Sequence, residues 1–134
     1  MEDPLYRHAC EVCFRDTDAS GWMHFSNIFN HVEIAEHAFL RSRNLLVFDR
    51  SRGGWPRVKV SCDYKRPLRC GDRIEIQLAI AAVGASSVSW KFEVVNAAGE
   101  LAAAGGITTV RVNHLGRPQP LDATEREQLE ERRL

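Results

Sequence analysis

The segment Phe14-Arg15-Asp16-Thr17-Asp18-Ala19-Ser20-Gly21-Trp22-Met23-His24-Phe25-Ser26-Asn27 joins two stretches of different hydrophobic period. Upstream, residues 6–15 alternate. Tyr6, His8, Cys10, Val12 and Phe14 fall on one face, and Arg7, Glu11 and Arg15 on the other. This is the pattern of a half-buried strand. The turn formers of residues 16–21 end it. Downstream, residues from about 27 to 42 follow a helical period: Ile28, Val32, Ala35 and Phe39 make one apolar stripe, which Phe29, Ala38 and Leu40 widen. Ser26 or Asn27 is placed to cap this helix. So broad a stripe implies a helix wrapped on more than one side.

Beyond the helix, residues 43–56 form a connection broken at Arg52-Gly53-Gly54-Trp55-Pro56, and the rest reads as strand. Val58, Val60, Cys62 and Tyr64 alternate, then Ile74, Ile76, Leu78 and Ile80, then Val88, Trp90, Phe92 and Val94. Pro67 and Gly71-Asp72, Gly84-Ala85, and the hairpin turn Asn96-Ala97-Ala98-Gly99 separate them. A last strand spans residues 101–112. Its parity changes near Gly105-Gly106, where a bulge is expected. Asp122 and Glu125 have capping-box spacing for a short polar tail helix at about 121–133, read as a solvated face. The order is one strand, one long helix and four long antiparallel strands, an α+β class. One helix cannot cover both faces of such a sheet, so a face or an edge requires a partner subunit.

The 134 residues suit a single domain, with its core at about 6–113. Eighteen basic side chains balance eighteen acidic ones, which argues against nucleic-acid or membrane-surface binding. No apolar run approaches the roughly 20 residues that span a bilayer. The first seven residues carry two acids and no apolar core, so no secretory leader is expected and a cytoplasmic location follows. Cys10, Cys13, Cys62 and Cys70 are then expected as reduced thiols, buried or half-buried. Cys10 and Cys13 have C-x-x-C spacing, but residues three apart on a strand point to opposite faces and no second pair follows. The Asp16-x-Asp18 pair likewise lacks further ligands. No metal or other cofactor is expected.

Residues 14–27 resemble the signature of the 4-hydroxybenzoyl-CoA thioesterase family, including its bacterial acyl-CoA thioesterase branch. The matching residues are Phe14, Asp16, Asp18, Gly21, Phe25, Asn27 and Glu33. Tyr64, Pro67, Gly71 and Asp72 look like that family's Y-x-x-P-x-x-x-G-D turn. The resemblance covers roughly residues 6–112. It implies a single hotdog domain, a long central helix wrapped by a five-stranded antiparallel sheet. It also implies a homodimer or homotetramer with sites between subunits, and hydrolysis of an acyl-CoA.

Thioester hydrolysis needs an activated water or a nucleophile, and stabilisation of the developing oxyanion. A helix N-terminus offers unpaired N–H groups and a positive dipole end. The resemblance implies that Asp18 is the acting carboxylate, as base or nucleophile, and that the backbone N–H near Phe25 polarises the carbonyl. Gly21 lets the chain turn closely past the substrate, and Asp16 holds the loop through hydrogen bonds to backbone. Asn27 opens the helix, and Glu33 within it can hold a water or bond the loop. His24 can face the pocket or be structural. Trp22, Met23, Phe48 and Trp55 are candidates for an apolar lining.

The chain departs from the family pattern in places. Phe25 stands where tyrosine or histidine is common, and Glu36 where arginine is. The segment 83–87 is uncharged where some members place basic residues against CoA phosphates; Ser86 and Ser87 with their N–H groups could contact phosphate instead. Arg57, Lys59, Lys65, Arg66 and Lys91 could supply charge. An acyl-carrier-protein or polyketide-releasing thioesterase, and a non-catalytic acyl-CoA-binding module, stand as alternatives.

Overall fold

The computed structural model describes residues 1–131. Five strands, β1 (Tyr6–Glu11), β2 (Arg57–Tyr64), β3 (Arg73–Val83), β4 (Ser87–Asn96) and β5 (Leu101–Val110), form one sheet in the order β1-β3-β4-β5-β2. Every neighbouring pair is antiparallel. The long helix α1 (Ile28–Ser42) lies against one face, and a short helix α2 (Ala123–Glu130) packs on β3. Among the described residues no helix is long and apolar enough to cross a membrane.

The alternating residues of β3 and β4 build the core. Ile74, Ile76, Leu78, Val88, Trp90, Phe92 and Val94 are buried against Ile28, Val32, Ala35 and Phe39 of α1. Phe39 meets Trp90 edge to face at 5.5 Å, and Phe29 meets Phe92 at 6.2 Å. Each fully buried side chain of this size contributes about 2 kcal/mol. The Trp90 indole N–H donates to the buried Thr109 hydroxyl at 3.1 Å, so its polar end stays satisfied inside the core.

Several local expectations are corrected. The first strand stops at Glu11, and Phe14–Asp16 make a 3₁₀ turn that leaves the Phe14 ring in solvent rather than on the buried face. The Cys13 N–H donates to the Asp16 carboxylate at 2.7 Å and draws the chain out of the ladder. Neither Ser26 nor Asn27 caps α1 with its side chain. A second 3₁₀ turn, Phe25–Asn27, runs directly into the helix, with Asn27 already in helical backbone geometry.

The irregularity in β5 lies at Ala102, between the pairs Val94–Ala103 and Val95–Leu101, not at Gly105-Gly106. Ala103, Ile107 and Thr109 keep one parity straight through the glycines. These glycines serve close approach: a Cβ on Gly105 would stand 2.0 Å from the Ser61 carbonyl of β2. The tail helix has its Asp122–Glu125 capping box, but Glu125 is buried and takes a hydrogen bond from the Arg111 Nε at 2.9 Å. Burial of this pair needs the tail helix to fold back on the end of β5, so charge content alone misread it as surface. The end of that expected helix, beyond 131, lies outside the described residues. Cys10 and Cys62 are half-buried, while Cys13 and Cys70 are exposed, because each sits where the chain has left its strand.

Glu36 is a buried acid on the apolar side of α1, 2% exposed. The Arg57 Nη2 donates to its Oε1 at 2.8 Å, while its Oε2 has no hydrogen-bond partner among the described residues. Burial pushes its carboxyl from 4.5 up to about 7, against the pull of Arg57; Glu33 adds to the rise. A carboxyl raised on folding stabilises the fold below its unfolded value and withdraws that stability as pH climbs through the folded value, here a span of about 3 kcal/mol. Glu36→Gln should therefore be more stable than wild type at about pH 8, by up to about 3 kcal/mol, with the gap closing toward about pH 5. Urea unfolding at both pH values checks this; a less stable variant at the higher pH contradicts it.

Candidate functional site

Residues 17–23 form a tight hairpin. Thr17 bridges Met23, the Asp18 N–H donates to the Trp22 carbonyl at 3.1 Å, and the Gly21 N–H donates to the Asp18 carbonyl at 3.0 Å. Gly21 has φ +85°, so its role is the left-handed turn itself, and no neighbouring atom crowds the place of a Cβ. The hairpin is braced from the segment after β2. The Met23 N–H donates to the Leu68 carbonyl at 2.7 Å, and the Arg69 guanidinium lies 4.0 Å over the Trp22 ring. The Tyr64–Asp72 turn thus acts as a splint: the Asp72 carboxylate takes the Arg69 N–H, and Gly71 and Asp72 bond to Val12.

Asp16 is the internal anchor. It is 5% exposed, and its Oδ2 accepts the Cys13 N–H at 2.7 Å and meets His31 Nε2 of α1 at 2.8 Å. Its carbonyl takes the His24 N–H and the Asn27 amide, each at 2.8 Å. Burial pushes its carboxyl up, but the Cys13 N–H and His31 outweigh burial and hold it below the ordinary carboxylate range. Asn27 therefore ties the loop to the helix. His31 reaches a half-buried thiol on its other side, with Cys10 Sγ 3.7 Å from Nδ1. That thiol is pushed up to about 11, chiefly by burial, so it stays protonated.

Asp18 differs from Asp16 in being exposed. Its Oδ1 accepts the Ser20 N–H at 2.8 Å and the Ser20 hydroxyl at 2.5 Å, and its Oδ2 lies 3.2 Å from His24 Nδ1. The Ser20 hydroxyl, the Ser20 N–H and then His24 hold its carboxyl below the ordinary range. His24 lines a cavity of about 310 Å³ together with Trp22, Met23, Phe25, Tyr64 and Ala102. Phe25 opens the second 3₁₀ turn. Its carbonyl takes the Tyr64 hydroxyl at 2.5 Å, and its N–H has no protein acceptor among the described residues.

Trp22, Met23, His24 and the Phe25 backbone thus converge beside Asp18. Other sequence candidates do not. Glu33 is exposed and lies 3.4 Å from Arg57 Nε, facing a separate hollow with Phe48 and Trp55. Lys59 is exposed on β2. Ser86 and Ser87 sit at the β3–β4 turn, about 30 Å of strand away from the hairpin. That turn is held by the tail: its carbonyls at Gly84, Ala85 and Ser86 accept from Arg126, Leu121 and Arg111. The Tyr64 hydroxyl, His31 and the small Ala102-Ala103 floor were missed as site-builders. Only the Y-x-x-P turn signalled one of them. Among the described residues no three His, Cys, Asp or Glu side chains group to hold a metal ion.

A five-stranded antiparallel sheet curled round one long helix, with an acidic hairpin at the helix entry, is a hotdog domain. The chain belongs to the thioesterase-like superfamily, whose model matches residues 12–129. It is 34% identical over 83 residues to a 1,4-dihydroxy-2-naphthoyl-CoA hydrolase of Synechococcus elongatus, a match covering 59% of this chain and 61% of that protein. The alignment thus spans about three fifths of that relative's length. A thioesterase of Thermus thermophilus, solved in complex with coenzyme A and Zn, superposes with TM-score 0.81 at 26% identity, covering 96% of this chain and 95% of that one. A 1,4-dihydroxy-2-naphthoyl-CoA thioesterase of Synechocystis shares the fold, with TM-score 0.83, 22% identity, and coverage of 92% and 94%.

Proposed function

We propose that the chain hydrolyses an acyl-CoA thioester to a carboxylic acid and CoA, with Asp18 as the essential acid. The carrying observation is the convergence at one cavity: His24 in its wall with Asp18 bonded behind it, the adjacent Phe25 N–H without an acceptor among the described residues, and apolar walls around them. The N–H stands at the entry to α1, where the helix dipole favours a developing oxyanion. The walls, with Trp22 and Met23, suit an apolar or aromatic acyl group. The Synechococcus relative's aromatic substrate and the coenzyme A bound to the Thermus structure support that reading, as does the likeness of residues 14–27 to the 4-hydroxybenzoyl-CoA branch. A screen of aromatic, short and long acyl-CoAs by thiol release tests it: turnover of an aromatic ester is expected, and no turnover of any ester would sink it.

A carrier-protein thioester is the second reading. What favours it is the β3–β4 turn, residues 83–87, which carries no charged side chain of its own. Matched CoA and carrier-protein esters of one acyl group separate the two by kcat/KM.

The working unit is a homodimer at least. β2 is an edge strand, and its helix-side residues Val58 and Val60 are 63% and 48% exposed. Phe25 at the cavity is 64% exposed. A second copy over this edge would bury these side chains and close the cavity. Sedimentation should give a dimer or tetramer for wild type and monomer for Val60→Asp, with activity lost in step. A wild-type monomer with full activity contradicts it.

A further inference from the structure

On the thioesterase reading, we infer that His24 is the group that meets the attacking water, and that Asp18 acts through it. Three observations carry this. His24 lines the cavity, whereas Asp18 does not. Both Asp18 oxygens are engaged, Oδ1 by the N–H and hydroxyl of Ser20 and Oδ2 by His24 Nδ1. Those bonds hold the Asp18 carboxyl low, which makes it a poorer base and nucleophile than a free carboxylate. With Nδ1 held by Asp18, the ring carries its proton there and presents a bare Nε2. The next residue, Phe25, supplies the unpaired N–H, so base and oxyanion donor are adjacent on one 3₁₀ turn.

The step balances without a co-reactant. Nε2 takes a proton from water as its oxygen bonds to the thioester carbon, and the carbonyl oxygen becomes an oxyanion at the Phe25 N–H. The intermediate then collapses and breaks the C–S bond. The departing CoA thiolate takes the proton back from Nε2. The products are the free acid and CoA, and the imidazole is restored. Other ionisable groups around His24 come from the end of β2 and the turn after it. Tyr64 is engaged with the Phe25 carbonyl, Arg66 lies 3.2 Å from Glu100, and Lys65 lines the same cavity. Lys65 and Arg66 both line the cavity, and the Arg66 charge is shared with Glu100.

Three variants separate the roles: His24→Gln, His24→Asn and Asp18→Asn, assayed on the best acyl-CoA from about pH 5 to about pH 9. His24→Asn places an amide where Nδ1 stood, so it retains a donor for Asp18 while losing Nε2. We expect both His24 variants to lose about 1,000-fold or more in kcat, with KM changed less than about threefold. An acid limb of kcat/KM present in wild type should be absent from both. Nitrogen-15 spectra should place the wild-type proton on Nδ1, and Asp18→Asn should release that preference. Wild-type rates in His24→Asn would reduce the histidine to a structural tie. Wild-type rates and acid limb in His24→Gln, with Asp18→Asn inactive, would return the chemistry to Asp18 itself. A wild-type protein that hydrolyses no thioester ends the thioesterase reading and this inference with it.

Discussion

Asp18→Asn is expected to lower kcat by about 1,000-fold or more while leaving the fold and the melting temperature nearly unchanged. The asparagine carbonyl still accepts from the Ser20 N–H and hydroxyl, so the hairpin keeps its tip. What goes is the negative charge facing His24 Nδ1 at 3.2 Å. The side chain is exposed, so its replacement leaves no buried group unsatisfied. Steady-state kinetics with circular dichroism checks both halves. Near-wild-type turnover would remove Asp18 from the chemistry, whether as base, nucleophile or partner of an imidazole.

Asp16→Ala should do the reverse and act first on stability. It leaves His31 and the Cys13 N–H without their shared carboxylate partner in a buried place. Leaving these buried polar groups without their partner costs about 1–3 kcal/mol each, on the order of 10 °C in melting temperature for a chain of this size. Activity falls with it through the loosened loop, although the Asp16 backbone carbonyl that takes the His24 N–H and the Asn27 amide is kept in the alanine variant. The pH dependence has a definite sign. A carboxyl held low in the folded state stabilises above its unfolded value, and that stability is lost as pH falls through the folded value. Wild type should therefore lose stability in acid more steeply than Asp16→Ala. Equal slopes below about pH 4 would show that the Asp16–His31 pair contributes nothing.

Period carried most of the fold. Ile28, Val32, Ala35 and Phe39 fixed the buried face of α1, and the alternations through Ile74–Leu78 and Val88–Val94 fixed the inner face of the sheet. It failed where chain-distant atoms decide. The Ala102 irregularity and the Gly105 approach to Ser61 depend on the neighbouring strands. The Arg111–Glu125 and Arg57–Glu36 pairs join segments that nothing local connects. At the site, the Asp18 and Phe25 positions came from motif and turn chemistry. The alternatives left open for His24 could be narrowed only once its Nδ1 was seen beside Asp18 and its ring in the cavity wall. Ser86 and Ser87 came from the place of their loop in the family pattern, and within one chain the length of β3 lies between them and the hairpin.

The most direct test is prolonged incubation of the purified chain with a bound aromatic acyl-CoA, followed by separation of the ester, the acid and free CoA. The account predicts stoichiometric acid and free CoA over many turnovers with wild type, and ester recovered intact with Asp18→Asn. Tight binding with intact ester recovered from wild type would contradict it and leave a protein that holds acyl-CoA without cleaving it.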